Sequence, residues 1–309
     1  MLKQGPLIRR PLFLGPFYVA RVTMIGYNKR ILSDFAMLKK IFAAFFVLIP
    51  LLGCMTGEKD IPEWRKTGLL RVGTDATYPP FEMVNTATGR PEGFDIDIMK
   101  AICEVNEWTP EFIVTPFDGI ISGLKADKYD CVISAMSITP QREAIVAFSK
   151  PYYLAGQVIA VPPEDTSVSG VDDLKGLRVG VQLGTTGERM AKSFSGVSVF
   201  SYDNIGAAFI DMQNGNIDAV LNDLPTTLEY IRRRGDAKIV GDLLSREYYG
   251  IAVRKDDAEL LKRIDSALVK IDNNGEYERI RKAWFGRFDP PQIDSVGETS
   301  GPAGDSSPK

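Results

Sequence analysis

The hydrophobic pattern of the chain consists of short strand-like runs and longer helical stripes. Residues 68–73 and 176–181 open two segments with one plan, in which a β-rich run leads into a polar loop. A second strand-like run follows in each segment, at 129–134 and 217–222, and helical patterns lie between the paired runs. Strands that alternate with helices predict parallel α/β sheets, and two similar segments predict two lobes.

Helical stripes and hinge passages complete this picture. The pattern predicts helices over 95–105 and 118–126, and we interpret Asp95, Asp97 and Asp118 as helix caps. Two strand-like passages, at 154–161 and 248–253, lead into the second segment and back again. Two crossings between two lobes predict a hinge.

Unusual polar residues follow the strand-like runs. In open α/β sheets, ligands bind beyond the carboxyl ends of the strands. The polar residues found there are Asp75, Tyr78, Ser134, Ser137, Thr185, Thr186, Asn222 and Asp223. Two lobes whose rims carry these side chains and face each other would form a ligand cleft.

The loop over 134–142 predicts an anion site. Thr139 is a good N-cap, Pro140 suits the first helical position, and Arg142 falls in the first turn of the same helix. The positive end of a helix disfavours a cation, so an arginine beside hydroxyls and free N–H groups indicates that an anion binds there. Arginine can hold a carboxylate through two parallel hydrogen bonds. The alternative is an ordinary surface arginine.

Composition narrows the chemistry. The chain has 309 residues, of which 44% are hydrophobic and 25% charged, and this suits one or two globular domains. The absence of histidine excludes serine–histidine and cysteine–histidine nucleophile systems and histidine-ligated metals. Cys54, Cys103 and Cys131 show no CxxC spacing, so we expect no metal and no cofactor. We interpret Cys103 and Cys131 as buried free thiols, with a disulfide between them as the alternative.

Charge is uneven along the chain. Residues 1–54 hold eight lysines or arginines and one acid, which leaves 29 of the 37 basic and 39 of the 40 acidic residues for the rest. A moderately acidic body does not favour nucleic acid as a partner.

The amino-terminal region indicates an export signal. Lys39 and Lys40 precede an apolar run over 41–52, which is typical of a secretory signal peptide and too short for a transmembrane helix. The run ends in Leu-Leu-Gly-Cys, which resembles the bacterial lipobox, so Cys54 is the predicted lipidation site. A plain signal peptide with an incidental cysteine is the alternative.

The signal peptide sets the predicted domain boundaries. Met37 precedes the lysines where such a signal would start, so residues 1–36 are read as an upstream extension. The predicted order continues with a lipoprotein signal peptide over 37–54, a tether over 55–67, and a disordered tail over 288–309.

The body of the chain, from about Gly68 to Gly286, resembles the polar amino acid-binding proteins of bacterial ABC transporters. The motifs that carry the resemblance are RVGTDATYPPF (71–81), GFDID (93–97), SAMSITPQR (134–142), FSKPYY (148–153), GVQLGTT (180–186), DAVLND (218–223) and KAWFG (282–286). Each motif alone is weak, but their order along the chain is specific. The resemblance implies the two-lobe type II periplasmic binding protein fold, an α/β fold with the ligand cleft between lobes joined by a two-crossing hinge. The first lobe would hold 68–153 plus 252–287, and the second 156–247.

The resemblance also implies how a ligand backbone is held. Arg142 would clamp the α-carboxylate, helped by Ser137 and by the backbone or hydroxyl of Thr186. Asp223 would accept the α-ammonium, together with the carbonyl of Ser134. An amino acid zwitterion needs one fixed cation and one fixed anion, because an unpaired buried charge is costly. Taken alone, Asp223 fits a helix cap equally well.

The remaining matched positions concern the ligand side chain. Tyr78 and Phe117 would stack on it, although either ring alone fits core packing. Asp75 and Gln182 would face its tip. Glutamine-selective members of the family have a lysine at the position of Gln182, and its absence leaves Asp75 without a local cation. A basic ligand would supply that cation, and glutamine is the alternative.

The implied function is capture of a polar L-amino acid outside the cytoplasm. The protein would be a periplasmic, lipid-anchored monomer that closes around its ligand and delivers it to a membrane permease. The rival is an enzyme on the same fold, because cyclohexadienyl dehydratases resemble these binding proteins. Their general-acid glutamate corresponds to Thr226 here, with Glu229 one turn further on.

Overall fold

The computed structural model describes residues 61–286 of the chain. The predicted upstream extension, the signal peptide with Cys54, the tether up to residue 60 and the tail over 288–309 lie outside the described residues.

The bounds of the described elements follow chain order. The strands are β1 (Leu69–Thr74), β2 (Thr77–Tyr78), β3 (Glu82–Val84), β4 (Pro91–Glu92), β5 (Thr109–Val114), β6 (Cys131–Val132), β7 (Ala147–Phe148), β8 (Tyr153–Ala155), β9 (Gln157–Val161), β10 (Arg178–Gln182), β11 (Ser198–Tyr202), β12 (Ala219–Asp223), β13 (Lys238–Val240), β14 (Glu247–Tyr249) and β15 (Ala252–Val253). The α-helices are α1 (Glu63–Lys66), α2 (Phe94–Asn106), α3 (Phe117–Lys125), α4 (Pro140–Glu143), α5 (Thr186–Ser193), α6 (Ile205–Gln213), α7 (Leu224–Arg234), α8 (Ala258–Asn273) and α9 (Glu276–Phe285). A short 3-10 helix spans Val171–Leu174.

Two five-stranded sheets with related topology form the centres of two lobes, as the repeated pattern predicted. In the first lobe the strand order is β5-β1-β6-β15-β7, with β1 parallel to β5 and β6. In the second lobe the order is β11-β10-β12-β9-β13, with β10 parallel to β11 and β12. Strands β15 and β9 run antiparallel to the parallel set of their sheets. The mixed α/β fold with two lobes is therefore confirmed.

In each lobe, an arginine–aspartate pair holds one strand of the central sheet, β1 in the first lobe and β10 in the second. The guanidinium of Arg71 lies 2.7 Å from the carboxylate of Asp130, and the backbone N–H of Arg71 also donates to that carboxylate. Arg178 and Asp218 repeat both contacts in the second lobe, with the guanidinium again 2.7 Å from the carboxylate. The aspartate that precedes β6 or β12 therefore fixes the register of the neighbouring strand, β1 or β10.

The hinge consists of two antiparallel crossings. Strand β8 pairs with β14, and Tyr153 lies opposite Tyr249 in that ladder. The two buried rings stack with their centroids 5.7 Å apart. Phe81 packs edge-on against both tyrosines, at 4.8 Å from Tyr153 and 5.3 Å from Tyr249. These contacts attach the hinge firmly to the first lobe.

All three predicted helix caps are wrong. Helix α2 begins after Gly93, and Asp95 lies in its first turn, fully buried, where its carboxylate accepts from the Ala135 N–H and the Tyr152 hydroxyl. Helix α3 begins after Pro116, so Asp118 lies inside the helix. Asp97 also lies inside α2, where its carboxylate accepts from the ring N–H of Trp284 at 2.9 Å. Each helix therefore starts earlier than the polar residue suggested. The interpretation of Cys103 and Cys131 is confirmed, because both are buried and free.

Helix α1 lies within the range that was predicted to be a tether. Its Trp64 is buried and meets Trp108 edge-on, with the ring centroids 5.4 Å apart. The guanidinium groups of Arg65 and Arg263 lie over the Trp64 ring. None of the helices within 61–286 is long and apolar enough to cross a membrane.

Candidate ligand-binding site

All ten predicted site residues line one cavity between the lobes. Its lining consists of Asp75, Tyr78, Glu82, Phe117, Ser134, Ala135, Ser137, Arg142, Gln182, Thr185, Thr186 and Asp223. Most of these side chains follow the carboxyl ends of β1, β6, β10 and β12, where ligands of open α/β sheets bind. Hydrogen bonds divide the polar lining into two groups. We call Ser137, Arg142, Thr186 and Asp223 the mixed-charge end, and Asp75, Glu82, Ser134 and Gln182 the acidic end.

Arg142 is held from both lobes at the mixed-charge end. The Thr139 side chain caps helix α4 by accepting from the Arg142 N–H, as the sequence predicted. The buried guanidinium donates to the carbonyl of Ser137 at 2.7 Å and to that of Gly184 at 3.2 Å. It also lies over the Phe117 ring, 5.2 Å from the centroid. Burial lowers the pKa of Arg142 to about 10, which still leaves a cation at neutral pH.

Asp223 is the buried anion of the same end. Its carboxylate accepts from the hydroxyl of Tyr78 at 2.8 Å, from the hydroxyl of Tyr249, and from the amide of Gln157. It occupies the cap position of helix α7 but accepts no hydrogen bond from that helix, which argues against a capping role. Burial, followed by the charge of Glu247, raises the pKa of Asp223 to about 7. A cation placed beside Asp223 would therefore be strongly favoured.

The acidic end contains two carboxyl groups from the first lobe. Asp75 accepts from the amide of Gln182 at 2.9 Å, so these two predicted site residues contact each other across the cleft. Glu82 is fully buried and accepts from the hydroxyls of Thr74 and Ser134. Burial raises the pKa of Asp75. Burial also raises the pKa of Glu82 well above its usual range, and the charges of Asp95 and Asp75 add to this effect.

The loop at 134–137 is fixed from behind by Asp95. Ala135 has a left-handed backbone with φ of 42°, which costs energy for a residue with a side chain. Its N–H donates to the Asp95 carboxylate at 2.7 Å, and this bond holds the conformation. Burial raises the pKa of Asp95 to about 7. The loop therefore presents Ser134 and Ser137 to the cavity in one defined arrangement.

The other predicted residues lie at the cavity with different surroundings. Tyr78 is buried, and its hydroxyl lies 2.7 Å from Asn222 Oδ1 in the second lobe. Phe117 is half-buried at the start of α3. Thr185 caps helix α5 by accepting from the Glu188 N–H at 3.1 Å, so it stabilises that helix as well as lining the cavity.

Five residues of the site were outside the predicted set, and one of them, Ala135, contributes to the lining beside Ser134. Glu82 lines the cavity directly, while Gln157, Glu247 and Tyr249 bond to its mixed-charge end. The sequence contained one signal, since Glu82 directly follows the aromatic end of the YPPF motif. The directions in which the side chains of Gln157, Glu247 and Tyr249 point depend on how the two crossings pair.

The arrangement can hold a small molecule that carries opposite charges at one end and a cation at the other. No group of three or more acidic, cysteine or histidine side chains within 61–286 could hold a metal ion. Direct bonds cross between the lobes from Tyr78 to Asp223, from Gln182 to Asp75 and from Arg142 to Gly184. The cleft is therefore closed in this structure.

Comparisons with known proteins agree with this geometry. Residues 70–287 match the family model of the bacterial extracellular solute-binding proteins, family 3. The chain is 37% identical to the ABC transporter arginine-binding protein 1 of Escherichia coli (strain K12) over 222 residues, which cover 70% of this chain and 90% of the relative.

Solved structures extend the comparison. An ancestral arginine-binding protein, solved bound to arginine and bound to glutamine, is 44% identical with a TM-score of 0.69, and the match covers 71% of this chain and 99% of that chain. An ancestral amino acid-binding protein, a precursor of cyclohexadienyl dehydratase, is 38% identical with a TM-score of 0.69, covering 72% of this chain and 98% of that chain.

Proposed function

Because the chain belongs to the bacterial extracellular solute-binding proteins of family 3, we propose that it captures a polar L-amino acid for an ABC transporter. We further propose that the ligand is basic, with arginine first, and that glutamine is the nearest alternative. The observation that carries this proposal is the pair of carboxyl groups, Asp75 and Glu82, whose hydrogen bonds to Ser134 and Gln182 form a group of the cavity lining without a cation.

The mixed-charge end suits the backbone of an amino acid. Arg142 would bind the α-carboxylate, with Ser137 and Thr186 beside it. Asp223 would bind the α-ammonium, and the cation would lower its raised pKa and leave it ionised. Each hydrogen bond to a charged group contributes about 1.5–3 kcal/mol net, so the two contacts together would dominate affinity.

The acidic end suits a cationic side chain. Asp75 has an amide, Gln182, as its partner across the cleft, and Glu82 has only hydroxyls. Burial raises the pKa of both carboxyl groups, the charge of Asp75 adds to the effect on Glu82, and a guanidinium between them would remove that penalty. The named ligand of the Escherichia coli relative supports arginine. The ancestral structures with arginine and with glutamine support keeping both ligands in the test.

The test is calorimetric titration with all twenty L-amino acids at neutral pH. We expect arginine to bind most tightly, followed by lysine or glutamine. A preference for leucine or glutamate would contradict the assignment of the acidic end. Absence of binding by every amino acid would contradict the whole proposal.

The mechanism would be closure of the lobes around the ligand. Arg142 and Ser137 belong to the first lobe, whereas Thr186 and Asp223 belong to the second. A ligand that bonds to residues of both lobes would stabilise the closed form relative to an open form. The stabilisation equals the energy of its bonds to the second lobe. Small-angle scattering with and without arginine would measure this change as a decrease in the radius of gyration.

The dehydratase alternative has weaker support. Thr226, at the position of the catalytic glutamate, is buried and does not line the cavity. Glu229 is bound by Arg232 and Arg233, and although burial acts to raise its pKa, those bonds lower it below the usual value. A general acid needs the opposite shift. Turnover of prephenate by the purified protein would revive this alternative.

We also propose periplasmic location, a lipid anchor at Cys54, delivery to a membrane permease, and a monomeric state. The sequence around Cys54 supports the anchor, and the family supports the permease. Detergent partitioning of wild-type protein and Cys54→Ser from a bacterial host would test the anchor. Equal partitioning of the two forms into the aqueous phase would contradict it.

A further inference from the structure

Three hydroxyl groups converge on one hinge carboxylate, that of Glu247 in strand β14. Oε2 of Glu247 accepts from Ser137 at 2.6 Å and from Thr186 at 2.6 Å. Oε1 accepts from Ser245 at 2.8 Å. Ser137 lies in the first lobe and Thr186 in the second, so this carboxylate joins both lobes and the hinge.

Two of these donors are the hydroxyls beside Arg142 at the mixed-charge end. A hydroxyl has a single proton to donate. While Ser137 and Thr186 donate to Glu247, they cannot donate to a second carboxylate in the cavity. The charge of Glu247 also acts on Arg142 and on Asp223, so all three belong to one electrostatic site.

We propose that Glu247 is an internal carboxylate that occupies hydroxyl donors available to the ligand's α-carboxylate, and that it thereby weakens the binding of ligands with this group. This inference rests on the proposed amino acid-binding function. A ligand carboxylate at Arg142 would be left with the guanidinium and with backbone N–H groups. It would also be repelled by Glu247. The hinge would thus set an upper limit on affinity and keep release of the ligand possible.

The experiment compares two ligands that differ only in the carboxylate. L-arginine has the α-carboxylate, and agmatine has the same guanidinium and amine without it. Calorimetry would measure the dissociation constants of both for wild-type protein and for Glu247→Ala. We expect Glu247→Ala to bind arginine about fivefold to tenfold more tightly, and agmatine to change by less than about twofold.

Two control variants separate this effect from charge and from hinge structure. Asp242→Ala removes an exposed acid from the loop before β14 and changes the net charge equally. Tyr248→Phe removes an exposed hydroxyl from the same hinge strand and leaves the three hydroxyls bonded to Glu247. We expect both controls to bind arginine like wild type. Near-UV circular dichroism would establish that each variant is folded, and Glu247→Gln, which keeps the side-chain size, replaces Glu247→Ala if that variant does not fold.

The sign of the result decides the question. Weaker arginine binding in Glu247→Ala would make Glu247 a partner of the ligand ammonium and overturn the inference. Unchanged arginine binding, or equal tightening of arginine and agmatine, would overturn it as well. Failure of wild-type protein to bind any amino acid would instead reject the proposed function, and the inference would fall with it.

Discussion

The two ends of the cavity differ in the origin of their groups and in the balance of their charges. The mixed-charge end takes Arg142 and Ser137 from the first lobe and Asp223 and Thr186 from the second. At the acidic end both carboxyl groups come from the first lobe, and the second lobe adds only the neutral amide of Gln182. One end therefore needs closure to be complete, whereas the charge of the other is already present in one lobe.

This difference separates what all amino acids share from what distinguishes them. A carboxylate and an ammonium are common to every amino acid, and the mixed-charge end offers one group for each. The cavity lining holds three acids, Asp75, Glu82 and Asp223, against the single cation Arg142. A zwitterion with a neutral side chain leaves that excess of negative charge in place, and a basic ligand reduces it.

Breaking the mixed-charge end should have the largest effect. Arg142→Ala removes the only cation of the cavity lining, and we expect arginine and glutamine affinity to fall together by at least about 30-fold. Truncating one partner of a buried, hydrogen-bonded charge pair costs about 2–5 kcal/mol. Titration of both ligands would measure the loss, with circular dichroism to verify folding.

The control for that variant is Arg189→Ala. Arg189 is exposed on helix α5, reaches Gln141 at 3.4 Å, and does not line the cavity. We expect its removal to change affinity by less than about threefold, in line with an exposed charge. Normal binding by Arg142→Ala would refute the assignment of the mixed-charge end.

Breaking the acidic end should change selectivity rather than binding as such. For Glu82→Gln and for Asp75→Asn we expect arginine affinity to fall about 10- to 100-fold, because a hydrogen bond to a charged group is worth about 1.5–3 kcal/mol. Glutamine affinity should change by less than about threefold, because its side chain is neutral. The measured quantity is the ratio of the two dissociation constants.

Glu92→Gln supplies the matched control, since Glu92 lies on the neighbouring strand β4, bonds to Asn85 and is absent from the cavity lining. If Glu82→Gln weakens both ligands equally, the acidic end holds the ligand without selecting it.

Proton release on ligand binding should also distinguish the two ends. We expect this effect to be smaller than the losses of affinity described above. Asp223 has a pKa of about 7, raised from 3.8, and an ammonium beside it would lower that pKa and release a proton. Affinity should therefore rise with pH up to about 7 and then level off, with up to about a tenfold change per pH unit below that value. Arginine should release further protons at Glu82, whose pKa is also raised, whereas glutamine should not.

Calorimetry at pH 7 in buffers of different ionisation enthalpy would count these protons. Asp223→Asn should remove the release that is common to both ligands and leave the additional release with arginine. Equal proton release by arginine and glutamine would show that the acidic end does not change ionisation when the ligand binds.

A similar contrast separates the site residues that could be predicted from the sequence from those that could not. Seven of the ten predicted residues were found because they follow strand ends, which are recognisable from hydrophobic runs. Arg142 was predicted from its place at a helix start, and Phe117 and Gln182 from the family resemblance. Glu82 escaped because it lies between apolar residues in a three-residue strand. Its inward position depends on Thr74 and on Ser134, which is 52 residues away. Such a contact is set by tertiary packing rather than by local pattern.

The three incorrect caps and the hinge residues outside the predicted set have a related cause. Asp95 has the residue type and location of a cap, yet the helix begins earlier and turns its carboxylate toward Ala135. Glu247, Gln157 and Tyr249 lie on hinge strands whose facing directions follow from the pairing of two distant chain segments. A polar residue that forms a hydrogen bond to a neighbouring loop therefore cannot be distinguished from a helix cap by its sequence spacing alone.

The smallest effect should come from Tyr78, which lies next to the acidic end in sequence but bonds to the mixed-charge end. Its hydroxyl lies 2.8 Å from Asp223 Oδ2, while Tyr249 and Gln157 also donate to that carboxylate. Tyr78→Phe keeps the ring and leaves those two donors in place, so we expect only about a threefold loss of affinity. Arginine and glutamine should lose equally, since the lost bond does not reach the acidic end.

Tyr202→Phe provides the control for that loss. The Tyr202 hydroxyl also bonds to an aspartate, Asp211 at 2.8 Å, but outside the cavity lining. Tyr202→Phe should therefore leave the affinities for arginine and for glutamine unchanged. A loss confined to arginine in Tyr78→Phe would mean that the hydroxyl acts on the acidic end, and the division of the cavity into two independent ends would then have to be abandoned.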